Sequence, residues 1–175
     1  LAARGFALTL AGRPWAAELF AAYPWPVLAL PRARRARIDA LRAHAPAGTS
    51  ALLLTNSFGS ALDLRLARLR CSGYATDLRR PLLAAAFPVP ARWKQDAAPM
   101  HMVEYYYELA RVFVGGDVPP VRADLSLRLP PQAAAGARSA LAGIGGGYVM
   151  LCPVAIGRHK GRVKAWDGFG ALCAE

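Results

Sequence analysis

The feature that most constrains the fold of this chain is a run of four apolar residues, Ala51 to Leu54, that leads directly into a polar turn and a helical pattern. A strand that is apolar at every position is covered on both faces, which is typical of parallel sheets. Similar short apolar runs alternate with helical segments along the chain, and this alternation is the pattern of βαβ units. The sequence therefore predicts an α/β fold with a mostly parallel sheet and flanking helices.

The same alternation predicts the other elements of the chain. Strands are expected at residues 6–10, 27–30, 51–54, 71–74 and 148–152, and helices at 15–20, 32–44, 99–114 and 132–141, with a further helix through Leu62, Leu66 and Leu69. Residues 79–90 are weakly patterned, and 116–147 has the character of a linker. In the helix at 99–114 the apolar spacing predicts a core-facing stripe of Val103, Tyr106, Ala110 and Phe113.

Charge and cysteine content narrow the classes of protein. No apolar run approaches the roughly 20 residues of a membrane span, so we expect a soluble domain. The three widely spaced cysteines predict free thiols of a cytosolic protein. The net charge of +11 favours an anionic partner, but arginine outnumbers lysine nineteen to three, which also fits the codon bias of a GC-rich genome. Both interpretations of the charge stay open, and the arginines near residues 32–42 are most simply a solvated helix face.

Three stretches together resemble glycosyltransferase family 9, the ADP-heptose:lipopolysaccharide heptosyltransferases. The first is the strand and turn from Leu52 to Leu62, followed by Gly73-Tyr74 and by Asp77 to Arg80. The second is the helix start His101-Met102-Val103-Glu104-Tyr105. The third is Leu151-Cys152-Pro153 with Lys164-Ala165-Trp166 and Phe169. The chain departs from the family pattern at Gly59, Tyr105 and Asp167, and its loop from Val154 to Val163 is longer and more basic.

The resemblance implies the N-terminal half of a GT-B enzyme, in which two Rossmann-like domains face a cleft. Residues 1–143 would form the acceptor-side domain without its first strand, and 144–175 would be a linker with the first strand and helix of a truncated nucleotide-sugar-binding domain. The implied reaction moves heptose from ADP-heptose to the inner core of lipopolysaccharide with inversion, in the cytoplasm and at the inner face of the inner membrane. The family's base would precede Leu1, so this chain alone is expected to be inactive.

Candidate binding residues follow from position and from this resemblance. Asn56 and Ser57 end a buried strand, where open α/β sheets place ligands, although either could simply cap the next helix. Arg79 and Arg80 suit the phosphate or carboxylate groups of an acceptor, or form a solvated basic turn. His101 joins the acceptor candidates, with a structural hydrogen bond to Glu104 as the simpler role. For the donor diphosphate we predict three basic residues of one loop before a helix start, Lys160, Arg162 and Lys164.

Several classes of site and function are not expected. His44 and His159 are too isolated for a metal site, and no cofactor is predicted. One rival function is a GT-B enzyme with another nucleotide-sugar or acceptor. Another is a basic nucleic-acid-binding module, against which stands the lack of aromatic residues interleaved with the arginines, so no nucleic-acid partner is predicted.

Overall fold

The computed structural model divides into two compact units, Leu1–Pro130 and Pro131–Glu175. This division precedes the helix predicted at 132–141, whereas the sequence favoured a boundary after residue 143. The residues that the structure describes are 1–94, 100–116, 118–119, 126–146, 149–150, 154–159, 162–165 and 168–172.

Two small parallel sheets form the framework of the first unit. One pairs β1 (Leu10–Gly12) with β2 (Val27–Ala29), and the other has the order β3 (Ser50–Leu52), β4 (Arg70–Tyr74), β5 (Ala85–Phe87). The prediction of an α/β fold with parallel strands and flanking helices is confirmed. The strand predicted at 6–10 lies later along the chain, and β5 falls in the stretch that the sequence left unassigned.

Four helices flank these sheets: α1 (Trp15–Leu19), α2 (Arg34–His44), α3 (Phe58–Leu66) and α4 (Met102–Phe113). Residues 13–14 connect β1 to α1 and residues 53–57 connect β3 to α3, so both helices begin within a few residues of a strand end. Within the described residues, no helix is both long and apolar enough to cross a membrane.

The helix predicted through Leu62, Leu66 and Leu69 is present as α3, but it ends at Leu66, so Leu69 lies beyond it. Leu69 is buried, but Leu66 is 43% exposed, and both Leu62 and Leu66 border a groove against α2. The helix instead turns Ala61 toward the sheet, where it packs with Leu53 and Cys71. Because alanine is small, it allows the helix to approach the strands more closely than a leucine would.

The buried face of α4 differs from the core-facing stripe that the sequence predicts for this helix. Its buried residues are Tyr105 and Leu109, which pack with Tyr74, while Val103 and Ala110 are only half-buried. The predicted stripe passed over Tyr105 because it was chosen by apolar spacing, and burying a hydroxyl group without a partner is costly. In the fold that hydroxyl accepts a hydrogen bond, so the aromatic ring can enter the core.

The second unit contains α5 (Pro131–Leu141), the antiparallel pair β6 (Val154–His159) and β7 (Arg162–Ala165), and the short helix α6 (Phe169–Leu172). Helix α5 confirms the helix predicted at 132–141. The buried strand predicted at 148–152 is wrong for its described part, since Val149 and Met150 are outside any strand and are 85% and 79% exposed. The other three residues of that prediction lie outside the described residues.

Candidate functional site

The best-defined cluster of polar side chains lies at the carboxyl ends of β3 and β4. Parallel strands end at the same edge of a sheet, and open α/β sheets bind their ligands there. The segment after β3 supplies Asn56 and Ser57, and the turn after β4 supplies Arg79 and Arg80. The structure therefore brings both predicted pairs to neighbouring strand ends.

Ser57 acts as the N-cap of α3. Its backbone is extended, and its hydroxyl oxygen accepts a hydrogen bond from the backbone N–H of Ser60 at 3.3 Å. A cap of this kind satisfies one of the free amides of the first helical turn. The capping role considered from the sequence is confirmed, and it fixes where the chain leaves the strand end.

Arg79 is fully buried and holds the two strand ends together. Its Nε donates to the Tyr74 carbonyl at 2.8 Å, and one Nη donates to the Thr55 carbonyl. The other Nη donates to Oδ1 of Asn56 at 2.8 Å. All three guanidinium nitrogens therefore bind protein oxygens, so Arg79 does not present its fork to solvent as the sequence interpretation supposed.

Arg79 forms no ion pair within the part of the chain that the structure describes, and the Asp77 carboxylate acts on its charge only from beyond ion-pair distance. Burial lowers the pKa of this guanidinium, yet an arginine side chain stays charged near neutral pH. Three neutral oxygens solvate the cation but do not cancel its charge. The strand-end edge therefore carries a fixed positive potential, which favours an anion in its neighbourhood.

Asn56 links the buried cation to helix α4. While Oδ1 accepts from Arg79, Nδ2 donates to the Tyr105 hydroxyl at 2.9 Å. These two contacts fix the orientation of the carboxamide, because an arginine can only donate. One N–H of the amide group remains for a ligand, and the Asn56 residue is exposed.

The tyrosine that accepts the hydrogen bond from this amide packs against two further aromatic rings. The Tyr105 ring lies 4.5 Å from the Tyr74 ring and 4.3 Å from the Trp93 ring, measured between centroids. The Tyr74 hydroxyl donates to the Tyr105 carbonyl at 2.7 Å, which ties β4 to α4. Sequence reasoning missed Tyr74 and Tyr105 as site residues, since their contacts join segments that are far apart in the chain.

Close backbone packing explains the glycine at position 73. A Cβ there would lie 3.2 Å from the carbonyl oxygen of Leu53 and 3.7 Å from an Nη of Arg79. After β4, Asp77 and Leu78 have φ angles of 50° and 57°, in the left-handed region that non-glycine residues rarely adopt. This unusual turn returns Arg79 toward the strand ends, and backbone strain of this kind is often found at functional sites.

Arg80 and His101 remain at the surface. Arg80 is exposed and forms no ion pair with any described residue, so its guanidinium is available to an anion. His101 is the N-cap of α4, where its Nδ1 accepts from the N–H of Val103 at 3.2 Å. The expected hydrogen bond from His101 to Glu104 is wrong. His101 is hydrogen-bonded to Val103 instead, and the Glu104 carboxylate lies 3.9 Å from the Arg92 guanidinium.

The basic residues predicted for a donor diphosphate have a different setting from the expected one. Arg162 and Lys164 lie in strand β7, not in a loop before a helix start. His159 pairs with Arg162, which leaves two residues between paired positions, a spacing typical of a β-hairpin. The argument from helix-start amides therefore does not apply to them. Lys160 lies outside the described residues.

The fold and the site define an α/β protein with small parallel sheets and a positively charged strand-end edge. Among the described residues, no group of three or more histidine, cysteine, aspartate or glutamate side chains could hold a metal ion. No family model, curated protein or solved structure matches the chain. The family resemblance noted above therefore stays a prediction.

Proposed function

We propose that the chain is the Rossmann-like, acceptor-side part of an ADP-heptose:lipopolysaccharide heptosyltransferase with GT-B architecture. The observation that carries the proposal is the fully buried Arg79, which forms no ion pair with a described residue and is hydrogen-bonded to the exposed amide of Asn56. Inner-core acceptors bear carboxylate and phosphate groups, so a positive strand-end edge suits them. The order of residues that resembles the family supports the same assignment.

In this proposal the residues bind and orient the acceptor. The free N–H of the Asn56 amide donates to an acceptor oxygen, and Arg80 forms a charge-assisted hydrogen bond with an acidic group. Arg79 acts as a positioning residue, since it fixes the amide and adds its potential without touching the sugar. Holding the attacking hydroxyl in one geometry is a large part of what a transferase must do.

The chemical step is a displacement at the anomeric carbon. A base removes the proton of the acceptor hydroxyl, the oxygen attacks the anomeric carbon from the face opposite the diphosphate, and ADP leaves with the electron pair of the broken bond. Cationic groups stabilise the charge that builds on the leaving oxygen. Arg162, Lys164 and Lys160 remain the proposed diphosphate-binding residues by family resemblance alone.

The binding part of the proposal is tested by titration of the isotope-labelled chain with an acidic inner-core disaccharide. The matched control is the same disaccharide with its carboxyl groups reduced to alcohols. We expect the acidic sugar to bind at least about tenfold more tightly, because charge-assisted hydrogen bonds are stronger than neutral ones. The side-chain amide signal of Asn56 and the backbone signals of Ser57 and Arg80 should shift. Equal affinity for the two sugars would contradict the proposal.

The transfer reaction is assayed with the natural gene product that carries this chain. ADP-heptose, ADP-glucose and UDP-glucose are compared as donors, with the same acidic acceptor. We expect turnover with ADP-heptose and a raised KM for acceptor in the Arg80→Ala variant. A preference for another donor would assign the chain to a different sugar transferase.

A further inference from the structure

A second cleft lies at the carboxyl ends of the other parallel pair, β1 and β2, away from the residues assigned above. Its volume is about 630 Å³, and it is lined by the two segments that follow these strands: Arg13, Pro14, Trp15, Leu30, Pro31 and Arg32. The backbone N–H of Leu30 donates to the Gly12 carbonyl at 2.7 Å, which joins the two walls at their base. The cleft is therefore built on paired strands and not on free loops.

The side chains of this cleft combine one large ring with two cations. Trp15 is 62% exposed, although an indole ring gains much from burial. Arg13 and Arg32 are both exposed, and neither forms an ion pair or side-chain hydrogen bond with a described residue. An exposed indole and two available guanidiniums line the same cleft, and a ligand with a flat face and a negative group would contact both kinds of group.

We propose that this cleft is a saccharide subsite that binds a sugar carrying a carboxylate or a phosphate. The C–H face of a sugar ring packs against the indole of Trp15 and against the apolar faces of Pro14 and Pro31. Guanidinium groups form paired hydrogen bonds with carboxylate and phosphate, which fits Arg13 and Arg32 on the two walls.

A sugar fits this lining better than a nucleobase does. The cleft has a single aromatic ring, so a base could stack on only one face. Its lining also contains no amide or carboxylate side chain that could read the polar edge of a base. Built upon the proposed function, the cleft would hold a further acidic residue of the same acceptor, and so would set the minimum size of acceptor that binds well.

The test uses three ligands that share one ring: glucose, glucuronate and glucose 6-phosphate. Binding is followed by the indole N–H signal of Trp15, which a Trp15→Phe variant identifies among the tryptophans. We expect the two acidic sugars to bind at least about tenfold more tightly than glucose. Arg13→Ala and Arg32→Ala should each weaken the acidic sugars about fivefold or more and leave glucose unchanged. Arg65→Ala, an exposed arginine outside the cleft, is the matched control.

The remaining outcomes overturn either this assignment or the proposed function, and they distinguish the two. Equal affinity for glucose and glucuronate would exclude the guanidinium contacts. ADP is titrated in addition to the three sugars, and tighter binding of ADP than of either acidic sugar would make the cleft a nucleotide site. A silent Trp15 signal, with Asn56 still responding to the acidic disaccharide, would remove this subsite and leave the proposed function standing. The reverse pattern would remove the proposed function and leave an acidic-sugar site.

Discussion

At the scale of single residues, the fold depends on a buried guanidinium whose described hydrogen bonds all go to neutral oxygens. Arg79 has no exposed surface, and its donors reach the carbonyls of Thr55 and Tyr74 and the amide oxygen of Asn56. Removing a buried charge from water is costly, so a lost hydrogen bond in such a network matters more than one at the surface. Arg79 thus stabilises the strand ends and gives them their charge at once.

We expect Arg79→Met to lower the free energy of unfolding by about 3 kcal/mol, because three acceptors lose their donor, among them the buried carbonyl of Tyr74. Arg79→Lys should be intermediate, since one ammonium group cannot span three acceptors. Arg80→Ala is the matched control, and it should stay within about 0.5 kcal/mol of the parent because its side chain is exposed. Urea unfolding measures all three variants. A Met variant as stable as the parent would mean that the network adds nothing to stability.

The buried thiol of Cys71 predicts a change of stability at alkaline pH. Burial raises the pKa of Cys71 from 9.0 to about 11 in the folded chain. Between these two values the thiol of the unfolded chain ionises first, so the free energy of unfolding falls as the pH rises. Burial also raises the pKa of Tyr74, which acts in the same direction at higher pH.

We expect Cys71→Ala to flatten the alkaline loss of stability, even if the variant is less stable overall. Urea unfolding from about pH 8 to about pH 10.5 gives the slope for each protein. Replacing Cys152 and Cys173 with serine in both proteins keeps the other thiols out of the comparison. Parallel pH profiles for the parent and the Cys71→Ala variant would show that this thiol is not the titrating group.

At the scale of elements, ion pairs join the arginine-rich helix α2 to α3. Asp63 is 5% exposed; its Oδ1 lies 2.7 Å from Nε of Arg34, and its Oδ2 lies 2.9 Å from an Nη of Arg37. Two guanidiniums thus neutralise one buried carboxylate. The interpretation of this helix as a solvated basic face is wrong for these two arginines, because they serve packing between helices.

We expect Asp63→Asn to destabilise the fold by about 2 kcal/mol. The loss is smaller than for a fully buried pair, since both arginines are partly exposed and can regain water. Asp39→Asn on the same pair of helices is the matched control, and it should change stability by less than about 0.5 kcal/mol because its carboxylate is exposed. Thermal unfolding distinguishes them. An equal decrease in the free energy of unfolding for both variants would show that the burial of Asp63 does not increase its contribution to stability.

What the sequence predicted well is what local patterns decide. The helices α2 and α4 follow from the spacing of apolar residues, and the Ser57 cap follows from a polar residue before such a pattern. Strand β5 escaped notice because alanines have little strand preference, and its hydrogen bonds with β4 create it. The hairpin of β6 and β7 was missed because basic residues suggested a binding loop.

For the candidate site, too, the sequence predicts what local patterns decide and misses what tertiary contacts decide. Its location at the end of β3 could be predicted, since strand ends follow from the alternation of elements. Its internal contacts could not, because Asn56 meets Tyr105 across 49 positions and Arg79 across 23 positions. The packing of α4 against the sheet brings Tyr105 to Asn56, and the pairing of β3 with β4 brings Arg79 to it. Sequence patterns therefore locate a site of this kind, while tertiary contacts decide which residues face the ligand.

At the scale of the whole molecule, the net charge of +11 is spread over sites with different roles. Arg34, Arg37 and Arg79 serve the structure through buried or partly buried contacts. Arg13, Arg32 and Arg80 remain available to anions at two separate strand ends. Two strand ends with one or two available arginines each suit small acidic ligands with one or two charges, whereas a nucleic-acid backbone is tracked by a continuous basic stripe.

Salt dependence separates these two possibilities. A ligand with one or two charges displaces few counterions, so we expect its affinity to fall only a few-fold between about 50 mM and about 200 mM salt. A nucleic-acid-binding module that contacts 6 or more phosphates would lose roughly a thousandfold over the same range. Calorimetric titrations with the acidic disaccharide and with a 20-nucleotide single strand measure both slopes. The disaccharide carries too few charges to behave as a polyanion, so its salt slope can be compared directly with that of the oligonucleotide. Tight, steeply salt-dependent binding of the oligonucleotide at physiological salt would replace the transferase proposal with a nucleic-acid function.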